Sequence, residues 1–294
     1  AYGTWLRLSQ NLPIPVSLWD TSELVQQAPS LLRAGTMVIA ISQSGESVEL
    51  RRMAEIDAAS SIRISITNTP DNSLSRWAQL RIATEVGAEQ TVSTKTYTAG
   101  MVALHIFERL LTGQRQGLEA EILQLADAIG QTLSQFHLRS AGILDFIGHT
   151  APIMFIGRGA SYSSAAMAAL VTAEAAKAHT TALTGGQFRH GPLELVREGF
   201  SSVMFMGGDG TGELNYKTAT DIARFGGRCL IIAPDDVDTP ETENIRTLRL
   251  SRVAPALLPV LEIIPIQLLM VPMATARGFE PAKFLNGSKV TAIE

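Results

Sequence analysis

Short apolar runs rich in β-branched residues recur along the chain, with amphipathic stretches between them. Residues 37–41, 62–67, 80–83, 153–156, 202–206 and 229–233 read as strands. Residues 48–58, 98–111, 163–178 and 214–225 carry the helical period. Strands that are apolar at nearly every position, alternating with helices, predict an α/β fold of parallel sheets covered on both faces. A longer amphipathic helix is expected over 117–136, with Ile122, Leu125, Ile129 and Leu133 near helical spacing. It joins two halves that each pass from a strand through a Gly/Ser loop into a helix, "VIAISQSGESVEL" and then "IMFIGRGASYSSA". The expected division is 1–128 and 129–294. The longest apolar stretch, 254–276, is interrupted by Pro255, Pro259, Glu262, Pro265 and Pro272. It reads as a buried helix with proline-marked ends rather than a membrane span.

Composition narrows the class. With 294 residues, 46% hydrophobic and 18% charged, and a net charge of −4, the chain has ample core and no basic cluster for nucleic acid. Its single cysteine, Cys229, excludes a disulfide within one chain and fits a reducing, cytoplasmic setting. Cys229 lies in the apolar run "GGRCLIIAP" and is most simply core. The five histidines show no dense ligand spacing, so no metal is expected, and no organic cofactor either. There is no P-loop. "GGDGTGEL" (207–214) has G-x-G-x-G spacing without the third glycine of the dinucleotide fingerprint, and turn glycines explain it. The chain opens on "AYGTWLRLSQNL", without methionine and already in a helical pattern, so a preceding segment is expected.

The first loop carries the chemistry. The strand at 37–41 runs into Ser42, Gln43, Ser44, Gly45, Glu46 and Ser47. A loop at the carboxyl end of a parallel strand, opening a helix, offers free backbone N–H groups and the positive end of the helix dipole. Gly45 lets the backbone come close to a guest, and each serine donates without adding charge. Serine is also a preferred helix N-cap, which accounts for one of the three. Ser42, Gln43, Ser44, Gly45 and Ser47 together form a neutral, donor-rich cup suited to a phosphate monoester.

"ISQSGES" resembles the phosphate-binding signature of the SIS (sugar isomerase) domains, and "TVSTKTYT" (91–98) resembles their next stretch. "GRGASYSSAAMAALVTAEAAKAHTTALTGGQFRHGPLEL" and the terminal "NGSKVTAIE" resemble the second SIS half and tail of phosphosugar isomerase modules. The resemblance implies two SIS-type subdomains, each a flavodoxin-like sandwich, the first lacking its initial strand and loop. It implies a phosphorylated sugar as ligand. Ser42, Gln43, Ser44 and Ser47 match the phosphate-binding positions, and Thr91, Val92 and Ser93 the sugar-contacting ones. Ser288 and Lys289 fall on the tail that closes over the sugar. Glu174 falls at the position of the catalytic base and His190 at that of the ring-opening group. In the family this histidine reaches the neighbouring subunit's site, which implies a homodimer.

Aldose–ketose isomerisation needs ring opening, proton transfer between C1 and C2, and a stabilised enediolate. A carboxylate and a histidine are suited to the first two. Two departures bear on the reaction: Val171 stands where the family has a lysine three residues before the glutamate, and Gln187 where it has an acid. Lys177, three residues after Glu174, is a candidate replacement cation. The expected activity is a phosphosugar isomerase or amino-sugar-phosphate deaminase. A fructosamine-phosphate deglycase and a non-catalytic phosphosugar-binding regulator are the alternatives. Glutaminase activity is excluded, since nothing here supplies its N-terminal cysteine.

Overall fold

The computed structural model describes all residues except 57–60, 137–139, 150–151, 209 and 291–294. His137, Asp209, the end of the helix expected over 48–58 and the last four residues of the tail therefore lie outside the described residues. The chain runs α1 (Tyr2–Asn11), α2 (Thr21–Gln27), β1 (Met37–Ile41), α3 (Val48–Glu55), β2 (Ile62–Thr67), α4 (Ser73–Trp77), β3 (Leu80–Ala83) and α5 (Lys95–Leu111). It continues through α6 (Leu118–Phe136), α7 (Ser140–Ile147), β4 (Ile153–Gly157), α8 (Tyr162–Ala176), β5 (Thr180–Thr184) and α9 (Gly185–Arg189). The last elements are β6 (Ser201–Phe205), α10 (Gly212–Arg224), β7 (Arg228–Pro234), β8 (Ile245–Leu250) and α11 (Leu258–Ala276).

Two compact units form: residues 1–14 with 108–283, and residues 15–107 with 284–294. The boundary expected at 128/129 falls inside α6, which packs on α11 in the first of these units. Hydrophobic spacing shows that α6 buries a face; it does not show which sheet that face serves.

The smaller unit holds a three-stranded parallel sheet in the order β1-β2-β3. Central β2 buries Ile64, Ser65, Ile66 and Thr67 in succession, as a strand covered on both faces must. Leu50 and Met53 of α3 and Leu74 and Trp77 of α4 pack with Leu32 and Ala40 into one core.

The larger unit holds a five-stranded parallel sheet in the order β5-β4-β6-β7-β8. From β4 the chain steps one way to β5, then back past β4 to β6. Right-handed crossovers in opposite directions put their helices on opposite faces. Phe188 of α9 and Ala219 and Ile222 of α10 pack with Met154, Ile156, Met204, Cys229 and Ile231. The alternate positions Ile153, Phe155, Val203 and Phe205 point to the other face, and α8 packs on β4 and β5 with α11 against it. Cys229 is core as expected, its thiol pushed up to about 12 by burial.

Two strands were not read from the sequence. β5 is short and threonine-rich, and β8 alternates arginine with leucine and isoleucine at the sheet edge. The prolines of the apolar stretch do not all mark helix ends: Pro265 and Pro272 lie inside α11. This helix is long and apolar enough to cross a membrane by length and composition, yet most of it is buried against α6, α7 and α8. Its one acid, Glu262, is fully buried and accepts from Ser161 Oγ (2.9 Å), Ser164 Oγ (2.7 Å) and the Gly207 N–H (3.4 Å).

Candidate functional site

The Ser42–Ser47 turn sits at the carboxyl end of β1 and leads into α3. Main-chain bonds fix it there: Ser42 N–H donates to Ile66 O, Asn68 N–H to Gln43 O and Leu74 N–H to Gly45 O. Within the turn, Ser42 Oγ accepts from the Gly45 N–H (3.0 Å) and Ser44 Oγ from the Glu46 N–H (3.2 Å). Both hydroxyl protons stay available to donate outward. Ser47 occupies the N-cap position of α3, but its side chain makes no capping bond. The plain capping role expected of one serine is not the one taken. The first-turn N–H groups of α3 and the Ser47 hydroxyl stand at the same helix mouth.

Gly45 has a reason beyond close approach to a guest. Its φ is +69°, and a Cβ there would stand 2.0 Å from Asn72 Oδ1. Asn72 is buried and is the cap of α4: Oδ1 accepts from Ser75 N–H (2.8 Å), and Nδ2 donates to Thr69 O (2.8 Å) and Thr67 Oγ1 (3.1 Å). Glu46 reaches the same helix, accepting from Ser73 N–H (2.7 Å) and Ser73 Oγ (2.8 Å). Those Ser73 bonds, the side-chain one foremost, hold the Glu46 carboxyl below the usual range. The cup is thus braced from α4 by residues the sequence reading passed over.

Beyond β3, Thr91, Val92 and Ser93 form the loop before α5, with Val92 buried. Glu89 organises it. Its carboxylate accepts from Thr94 N–H (2.8 Å), Thr96 N–H (3.2 Å) and Thr96 Oγ1 (2.6 Å). Lys289 Nζ binds the same carboxylate (3.1 Å) and the carbonyl of Thr91. Burial opposes ionisation of Glu89, but the bonds from Thr96, Thr94 and Lys289 outweigh it and keep the carboxyl below its ordinary value. The structure therefore joins Lys289 to the Thr91–Ser93 loop. Ser288 is exposed, its hydroxyl donating to Val290 O.

The remaining two site residues belong to the larger unit and are not brought together within it. Glu174 lies near the end of α8, half-buried beside core residues Val171, Ala175 and Ala176. Val171, in place of the family lysine, is wholly buried. Lys177 caps α8 in left-handed conformation and gives its Nζ to the carbonyls of Glu174 and Lys283. Its ammonium is thereby engaged with main chain. His190 caps α9 on the opposite face of the sheet, exposed, between Arg189 and a Gly191 at φ +144°. Gln187 supplies the reciprocal N-terminal cap of α9 with Thr184, a role a glutamate could also fill, so the structure does not explain the amide. Glu174 and His190 thus sit on helices packed on opposite faces of one sheet.

Arg158 was missed. It follows β4, and its guanidinium lies so close to Gly185 that a Cβ there would stand 2.5 Å from Nε. Nε is buried without a partner, and burial, then the nearby Arg189, lower the pKa. In the sequence it reads only as the middle of a Gly-Arg-Gly turn.

A five-stranded parallel sheet in this order, with loops gathered at strand carboxyl ends, defines a flavodoxin-like α/β protein. More narrowly, residues 6–107 match the family model described as the SIS domain. The chain is 29% identical over 290 residues to a glutamine–fructose-6-phosphate aminotransferase (isomerizing) of Pyrococcus horikoshii, covering 96% of this chain and 48% of the relative. The same enzyme of Symbiobacterium thermophilum is 30% identical over 292 residues, with the same coverage. The chain thus spans about half the length of the curated relatives it matches. In fold it resembles the C-terminal domain of glucosamine-fructose-6-phosphate aminotransferase from Francisella tularensis, with a TM-score of 0.88 at 23% identity, covering 96% of this chain and 82% of that one. It also resembles glucosamine-6-phosphate deaminase from Thermotoga maritima, with a TM-score of 0.80 at 18% identity, covering 99% and 86%.

Proposed function

We propose that this chain is a phosphosugar isomerase or amino-sugar-phosphate deaminase that moves a proton between C1 and C2 of a hexose 6-phosphate. The observation that carries the reading is the braced turn after β1. It presents the hydroxyls of Ser42, Ser44 and Ser47 at a helix mouth, and Ser47 leaves its capping role unused. In this reading those serines and Gln43 hold the phosphate, Thr91, Val92, Ser93 and Ser288 line the sugar, and Lys289 closes over it. Glu174 is the base for C1–C2 transfer and His190 the ring-opening acid–base. The placement of these two on opposite faces of one sheet supports a homodimer in which the partner copy supplies His190. Arg158, a cation without an anionic partner among the described residues, suits an oxyanion of the ligand. A cytoplasmic setting accords with a buried, unpaired Cys229.

Purified chain is to be assayed with fructose 6-phosphate and with glucosamine 6-phosphate, measuring aldose–ketose interconversion and ammonia release together. Turnover abolished by Glu174→Gln, with KM raised by Ser47→Ala, is the expected outcome. Release of the amine from a fructosamine 6-phosphate added to the same panel, with neither other sugar turned over, redirects the reading to deglycation. Tight binding without turnover, indifferent to Glu174→Gln, overturns the enzyme in favour of a phosphosugar-binding regulator.

A further inference from the structure

The larger unit has a cleft of about 580 Å³ beyond the carboxyl ends of β6, β7 and β8. Small-molecule sites run from about 300 to 1,000 Å³, and parallel sheets bind ligands at this edge. Its walls differ in chemistry. One is the glycine loop after β6, where Gly207 and Gly210 take φ of +73° and +83° and the space about Gly210 is open. A second carries the exposed carboxylates of Asp236 and Asp238 just past β7. Arg249 steadies this segment by donating to the carbonyls of Val237 and Thr239. The third is apolar, formed by Pro255 and Leu258. At the root of the glycine loop Asn215 is fully buried. Its Nδ2 donates to Phe205 O (3.2 Å) and to the carbonyl of Met206 (3.0 Å), a residue of the cleft wall, and its Oδ1 has no partner.

Charge decides what such a cleft can hold. Among the described residues, three lining carboxylates, Glu213, Asp236 and Asp238, face one lining cation, Arg252, which already pairs with Asp236 at 3.3 Å. That balance works against a phosphate dianion as the anchoring group. Paired carboxylates accept from vicinal hydroxyls, and an apolar wall covers a flat ring. A glycine loop followed by an acid at the end of the next parallel strand is the arrangement that grips a ribose 2′-hydroxyl. We infer that this cleft is a second ligand site, taking a ribonucleoside with its diol on Asp236 and Asp238 and its base against Pro255 and Leu258. The inference does not depend on the phosphosugar reading, because it involves other residues and is read by binding rather than turnover.

Isothermal titration of the full chain with adenosine and with uridine tests it, using 2′-deoxyadenosine, 2′-deoxyuridine and fructose 6-phosphate for comparison. At least one ribonucleoside should bind, its 2′-deoxy form about tenfold or more weakly, since a hydrogen bond to a charged acceptor is lost. Asp236→Asn and Asp238→Asn should each weaken binding by about tenfold, with circular dichroism confirming that both variants are folded. Saturating fructose 6-phosphate should leave the nucleoside bound. The site is overturned if neither ribonucleoside binds at millimolar concentration, or if the deoxy form binds equally well. It is also overturned if both variants bind unchanged, or if fructose 6-phosphate displaces the nucleoside.

Discussion

Replacing Gly45 with alanine tests whether the first loop is held by the contact between Gly45 and Asn72. Two costs add. Alanine at φ +69° occupies left-handed space, worth about 1–2 kcal/mol. Its Cβ would also stand 2.0 Å from Asn72 Oδ1 and 2.4 Å from Cγ, so the buried amide must move. Moving it endangers the bonds to Ser75, Thr67 and Thr69, each worth roughly 1 kcal/mol net. The sum is about 4–5 kcal/mol, lowered where α4 shifts with its cap. Gly35→Ala is the matched control, since Gly35 has φ +81° with nothing within 4 Å of its Cβ position. It should show the conformational cost alone, about 1–2 kcal/mol. Urea melts of both variants, followed by circular dichroism, give the difference. If Gly45→Ala costs no more than Gly35→Ala, the Asn72 contact does not brace the loop and the argument fails. Under the proposed function, Gly45→Ala should also raise KM for the phosphosugar while Gly35→Ala leaves it alone.

Glu89→Gln should loosen the tail, because it removes the charge that Lys289 and two threonines share. A loss of about 2–3 kcal/mol and faster amide exchange over 284–290 are expected, and unchanged exchange would refute it. The same bond is pH-dependent. Glu89 has a lowered pKa, so its contribution is complete above the ordinary carboxyl value of 4.5 and is lost as pH falls through the lowered one. Tail exchange should therefore rise on acidification below that point in the native chain and hardly at all in Glu89→Gln. Glu262→Leu strands the hydroxyls of Ser161 and Ser164 in the core and should cost about 2–4 kcal/mol by thermal melt, whereas a neutral result would mean those hydroxyls re-pair. Mixing inactive Glu174→Gln and His190→Asn chains should restore about a quarter of native turnover if two-fold dimers exchange subunits and each site draws on both chains. No recovery in demonstrably mixed dimers would place both residues in one subunit's site.

What the sequence made legible follows from period and spacing. The strands at 37–41, 62–67 and 80–83 were read with their observed bounds, because each is a β-branched run ending at turn residues. β5 and β8 escaped because an edge strand has one side free and so need not be apolar throughout. α11 hid its true course for another reason. Pro265 and Pro272 break a helix by local rules, but here the helix is wrapped by α6, α7 and α8, and packing overrides the local preference.

The site shows the same division between local and distant information. The serines after β1 could be proposed as a phosphate cup because they are neighbours in sequence. Their supports could not be, because Asn72 and Glu89 act on residues brought near by folding, and an asparagine or glutamate in a loop looks alike whether it braces a turn or faces water. The pairing of Glu174 with His190 lies further still from the sequence. They lie sixteen residues apart, and the reversal of direction between β5 and β6 sends their helices to opposite faces. If both act on one sugar, as proposed, their placement on opposite faces favours a site shared by two copies of the chain. Dimerisation would then be a condition of the chemistry and not an addition to it.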